Sequence, residues 1–203
     1  MPTIDRKKFF AGVRQQPFPG KLSNPQVTGM SAILDEWERR KLTDLRMLAY
    51  MLGTTKWETD HTMQPIAEAG GNSYYTKMYD ITGTRPSLAR RNGNTNKGDG
   101  IKYRGRGFVQ LTWKNNYFKM TEELNKAGIN ADLVANPELA MRDDIAAFIL
   151  FEGMLRGLFT GKKLSDYFNN IKTDWLNARR IINGTDKAAE IAGISKQFYA
   201  DLI

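Results

Sequence analysis

The sequence predicts a mainly α-helical protein with little or no β structure. Three observations predict it. Apolar residues recur at helical spacing through most of the chain, Pro, Gly and Asn interrupt the periodic stretches, and alternating strand patterns are scarce. The 203 residues suit one domain, or two lobes sharing one core. A hydrophobic fraction of 41% and a charged fraction of 26% are ordinary globular values and exclude intrinsic disorder.

The elements follow in order. Ile4, Phe9, Phe10 and Val13 fit a short amphipathic helix, which Pro17, Pro19 and Gly20 must break. Asn24 before Pro25 reads as an N-cap with proline at the first helical position. From there Val27, Met30, Ile33, Leu34 and Trp37 mark a second helix. A third is predicted from about Asp44 to about Asp60, and because Met47 to Thr55 carries no charge it should be central and buried. Residues 82–102 are rich in Gly, Asn, Thr and Arg and poor in apolar side chains, which predicts a long basic loop of the kind that carries function. Helical periodicity resumes at Asn115 to Ala127, at Leu139 to Leu155 behind Asn136-Pro137, at Asp174 to Ile182, and from Lys187 onward. Lys102 to Leu111 is the best strand candidate, weakened by Gly105 and Gly107.

Zero Cys rules out a disulfide scaffold and a Cys-ligated zinc site, and the one histidine, His61, makes a multi-histidine metal centre a poor reading. No metal or cofactor is expected. No uncharged run approaches the roughly 18–20 residues that cross a bilayer, so stable membrane insertion is not expected either. The start, MPTIDRKKFFAGVRQQ, lacks the apolar stretch of a secretory signal. Thirty Lys and Arg against 22 Asp and Glu leave a net charge of +8, which suggests an anionic partner: nucleic acid, an acidic membrane surface or an anionic cell-wall polymer.

Glu58 closes the helix that has no charge through its middle. It lies at the negative end of the helix dipole and beside apolar side chains. Both disfavour the ionised form, as a general acid near neutral pH requires. Glu68, ten residues on and past Pro65, sits on a separate element. Two carboxylates on different elements facing one cleft are what glycosidic hydrolysis needs, and Asp80 and Asp99 compete with Glu68 for the second place. His61, alone at a helix end, reads as a capping or packing residue. The stretch Tyr103 to Thr112 is not a phosphate loop, since the Lys-Ser/Thr pairing is missing, and it lacks the aromatic spacing of an RNA-binding sheet.

The segment GRGFVQLTWKNNY resembles the GRG-x-x-QL-[ST] segment, ending in NY, of glycoside hydrolase family 19, the lysozyme-like chitinase and endolysin family. Trp57-Glu58-Thr59, Asn136-Pro137-Glu138-Leu139 and Arg180-Ile181-Ile182-Asn183-Gly184 resemble further family segments in the family's order. Together they span about residues 44 to 203. The resemblance implies one lysozyme-like catalytic domain over 1–203, two-lobed and helical, with the basic loop beside its cleft. It implies Glu58 as general acid, Glu68 as the base that activates water, and Thr112 as the hydroxyl that helps hold that water. Gln110, Asn116, Tyr103, Arg106 and Asn183 are the implied substrate-binding residues. Two departures stand out: Trp57 replaces the histidine that often precedes the acid, and the arginine of the family's last helix has Ile191 or a neighbour in its place.

Glu58 to Ile66 and Gly70 to Tyr75 resemble the phage endolysin branch. Between Thr82 and Arg106, seven cations stand against Asp99, giving +6 beside the implied cleft. A field of that sign steers carboxylate-bearing peptidoglycan and adds little for uncharged chitin. The expectation is an inverting endolysin, a monomer acting on peptidoglycan and not on nucleic acid. It would be made in the host cytoplasm and reach the wall through a holin-type pore formed by another protein. A chitinase and a non-catalytic glycan- or nucleic-acid-binding protein are the rival readings.

Overall fold

In the computed structural model, which describes residues 4–203, the uncharged run becomes a helix whose side chains from Leu48 to Lys56 are all buried. The extreme start of the chain, part of the predicted 1–203 domain, lies outside the described residues. In order the helices are α1 (Arg6–Val13), α2 (Asn24–Arg39), α3 (Leu45–Glu58), α4 (Asn72–Tyr79), α5 (Pro86–Arg91), α6 (Asp99–Lys102), α7 (Lys114–Lys126), α8 (Asp143–Arg156) and α9 (Ala188–Leu202). Three 3-10 turns, Pro137–Met141, Leu164–Asp166 and Asn177–Ile181, complete the regular structure. Among the described residues there is no sheet, only isolated bridges such as Ala67–Arg106 and Arg106–Leu111. No described helix is long and apolar enough to cross a membrane.

The chain divides into two compact units. The first is built from the chain up to Gln64 together with Leu150–Ile203, and the second is Pro65–Ile149. In the first, α3 is the centre. Met30, Ile33, Leu34 and Trp37 of α2 recur at helical spacing and are buried, and Trp37 meets Phe151 at 6.3 Å between ring centroids. Against α9 the approach is closer. A Cβ on Gly53 would stand 2.1 Å from Ser195 Oγ, so only glycine lets these two helices pack as they do. In the second unit Tyr75, Phe108, Leu111, Tyr117, Met120 and Leu124 form the apolar interior.

Several predicted boundaries are corrected. The cap of α2 is Ser23, not Asn24: Ser23 and Gln26 bond each other's backbone N–H as a reciprocal capping box. Residues 82–102 are not one loop. Pro86 starts α5 with its preset φ, and Gly98, at φ 95°, turns the chain into α6. These helices are so short that each buries only one or two small residues, which is why the segment looks bare of apolar side chains. Asn136-Pro137 opens a 3-10 turn. Extended backbone at Arg142 then separates it from α8. The strand candidate fails because Gly107 and Gln110 adopt positive φ, 81° and 53°, and fold the segment back on itself.

Candidate active site

The predicted site residues fall into two groups, one in each unit. In the first unit Glu58 is the last residue of α3, with Thr59 as C-cap. Its Oε1 accepts from Arg179 Nη1 at 2.5 Å, and the two side chains are only 17% and 6% exposed. Arg179 also donates through Nε to the Asp186 carbonyl at 3.1 Å, so the guanidinium is anchored on both sides. Oε2 of Glu58 has no hydrogen-bond partner among the described residues. Asn183 joins this group, because its backbone N–H donates to the Arg179 carbonyl at 3.0 Å. Its side chain is exposed and, among the described residues, accepts from Gly184 N–H. His61 is held 2.6 Å from Lys56 Nζ through Nδ1, and burial together with that nearby charge pushes its imidazole below the usual range. The residue is exposed, with its ring edge-on to Trp57 at 6.4 Å between centroids.

In the second unit Glu68 lies on an irregular segment tied to Gly105. Glu68 N–H donates to Gly105 O at 2.9 Å, and Gly105 N–H donates back to Oε2 at 3.2 Å. A Cβ on Gly105 would come within 2.8 Å of Gln110 Oε1 and 3.2 Å of Glu68 Oε2, so a larger residue there would push both side chains from their present seats. Tyr79 donates to Glu68 Oε1 at 2.7 Å. Gln110 Nε2 bonds the carbonyls of Ile66 and Gly107 at 3.0 and 3.2 Å. Thr112 Oγ1 donates to the Gln110 carbonyl at 2.8 Å, and Asn116 Nδ2 donates to the Thr112 carbonyl at 2.8 Å. The structure therefore brings Glu68, Gln110, Thr112 and Asn116 together around one turn. Gln110 and Trp113, at φ 53° and 79°, are held where non-glycine backbone is strained by about 1–3 kcal/mol each.

The competing acids are structural. Asp80 is 1% exposed and accepts from Thr82, Gly98 and Gly100 backbone N–H groups and the Thr82 hydroxyl. Burial alone would raise its carboxyl, but those hydrogen bonds outweigh it and hold the group below the usual range. Asp99, 7% exposed, accepts from Thr95 and Asn96 N–H. Neither is presented to a substrate.

Two substrate-binding expectations are also corrected. Tyr103 is buried, with its hydroxyl on the Val134 carbonyl. Arg106 is 2% exposed and its guanidinium is consumed by Glu138, the Lys102 and Arg104 carbonyls and the Tyr117 hydroxyl. The Arg106 hydrogen bond holds the Glu138 carboxyl below its ordinary range. The glycines flanking Arg106 let the chain turn its side chain inward. It braces the unit and contributes no free charge to the basic segment.

Chitinase C from Streptomyces griseus HUT6037 superposes with a TM-score of 0.62 and 20% identity, covering 98% of this chain and 76% of that one. A bacterial family 19 chitinase gives 0.56 and 18%, covering 99% and 95%. A class IV family GH19 chitinase from Zea mays gives 0.56 and 18%, covering 96% and 90%. The fold is that of the family 19 chitinases. At these identities the likeness is one of fold. No family model matches the chain, and no curated protein sequence matches it.

Arg179 reaches Glu58 from the 3-10 turn Asn177–Ile181, nine residues before α9 begins. The sequence held a signal for it, since Arg179 directly precedes the Arg180 to Gly184 segment. Tyr79 was missed because α4, short and without an aliphatic period, gives no helical pattern.

Proposed function

We propose that the chain is a glycoside hydrolase of the endolysin type, cutting the glycan backbone of peptidoglycan by single displacement. The observation that carries the reading is the seating of two carboxyl groups, Glu58 by Arg179 and Glu68 by Tyr79 and Gly105, on a fold shared with family 19 chitinases. Glu58 is the proposed general acid, its unbonded Oε2 serving the leaving oxygen. Glu68 is the proposed base, and Thr112, whose hydroxyl keeps acceptor capacity after donating to Gln110, orients the water. Gln110, Asn116 and Asn183 bind sugar. The chemistry asks for no cofactor.

The choice of polymer rests on charge. From Ala69 to Thr121 there are ten cations and two acids, and both acids, Asp80 and Asp99, are buried and occupied. Lys77, Arg85, Arg90, Arg91, Lys97 and Lys102 are exposed, so this stretch of the Glu68 unit presents a surface without accessible acid. Such a surface draws in a carboxylate-bearing glycan and is indifferent to chitin. Neutralising Arg85, Arg90 and Arg91 together is expected to slow peptidoglycan hydrolysis most at low salt, because screening acts over about 10 Å at 0.1 M. Turbidity assays across a salt series check this. A salt profile identical to wild type would remove the argument for an anionic polymer.

A chitinase is the second reading, favoured by the names of the structural neighbours. Parallel rates on purified peptidoglycan and glycol chitin separate the two: hydrolysis of glycol chitin alone would replace the endolysin reading with a chitinase.

A further inference from the structure

We propose that Tyr79 is the positioning residue of Glu68, pinning Oε1 so that the proton taken from water goes to Oε2. The proposal rests on the reading of Glu68 as the base. Glu68 lies on no helix, and its seat is supplied from outside its own segment. Helix α4 offers two tyrosines four residues apart, hence on one face. Tyr75 bonds the carbonyls of Glu68 and Gly70 at 2.6 and 2.9 Å, and so fixes the backbone. Tyr79 bonds the carboxyl itself, at 2.7 Å.

The Tyr79 ring is in turn confined. Trp113 packs edge-on against it at 5.1 Å, and Tyr74 does so at 6.3 Å. Trp113 makes this contact from strained backbone, which persists only where the surroundings over-determine it. Burial, and then the bond to Glu68, push the Tyr79 phenol above its ordinary range. The hydroxyl is therefore a donor at every working pH. The two oxygens of Glu68 are unequal: Oε1 carries the short bond from Tyr79, and Oε2 the longer one from Gly105 N–H. Each oxygen accepts one bond, and Oε2 is the one whose existing bond is the longer and weaker.

A donor to a carboxylate favours its charged form, so removing the donor must move the acidic limb of the rate profile to higher pH. Tyr79→Phe is expected to lower kcat about tenfold, as for loss of a hydrogen bond to a charged group, with KM little changed. Replacing Tyr79 by 3-fluorotyrosine keeps the ring and its packing but strengthens the donor. It is expected to move the same limb to lower pH, and it keeps the test alive should Tyr79→Phe fold poorly. An acidic limb unmoved in both variants overturns the proposal, even if kcat falls, because packing alone would then explain the loss. Glu68→Gln separates the two layers. Wild-type turnover in that variant sinks Glu68 as the base, whereas an inactive Glu68→Gln beside unmoved Tyr79 variants sinks only the positioning role.

Discussion

Glu58→Gln is expected to lower glycan hydrolysis by about 10²-fold or more, the loss typical of removing a general acid. The amide keeps an oxygen where Oε1 accepts from Arg179, so the hydrogen bond at 2.5 Å has a substitute and the helix end keeps its shape. The charge balance does not survive. Arg179, 6% exposed, is left facing a neutral partner. A loss of about 1–2 kcal/mol is expected from weakening a hydrogen bond to a charged group. That corresponds to a few degrees in Tm for a chain of this size. The variant should therefore be folded, somewhat less stable and inactive. Circular dichroism and a turbidity assay on the same sample check both halves, and near wild-type clearing would remove Glu58 from the mechanism.

Arg179→Met should have the largest effect on stability. The substitution fills much of the same volume but withdraws the partner of Glu58 and the donor to the Asp186 carbonyl. Breaking a buried pair from one side costs about 3–5 kcal/mol, and since Glu58 keeps some contact with solvent the expected loss is near the lower end, about 3 kcal/mol. Arg179→Lys should recover only part of it, because an ammonium cannot serve both acceptors with the geometry of a guanidinium. Urea unfolding midpoints of the three proteins test the order. Equal midpoints would mean that the pair does not hold α3 to the 3-10 turn.

The helices that were legible in the sequence are those with a long apolar stripe or an uncharged run. α2 and α3 show the stripe and the run in their own residues, and the expected end of α3 near Asp60 lies two residues past the observed end at Glu58. α4, α5 and α6 were not legible, because each buries one or two residues and leaves no period to read. Of the proposed site, Glu58, Glu68, Gln110, Thr112 and Asn116 could be named from motif resemblance. The direction in which a side chain points could not. Tyr103 and Arg106 lie in the same glycine-rich segment as Gln110, yet the turn sends them inward to Val134 and Glu138. Arg179 and Tyr79 act through contacts 121 and 11 residues away in the chain, and no local pattern encodes such pairings.

Proton NMR of the first products released from a soluble peptidoglycan oligosaccharide tests the central claim most directly. With Glu58 as acid, Glu68 as base and Thr112 on the water, a new reducing amino sugar should appear with inverted anomeric configuration before mutarotation sets in. A product that retains configuration would mean a covalent glycosyl-enzyme, with Glu68 attacking the sugar, and no new anomeric signal at all would mean that the chain does not cut this glycan.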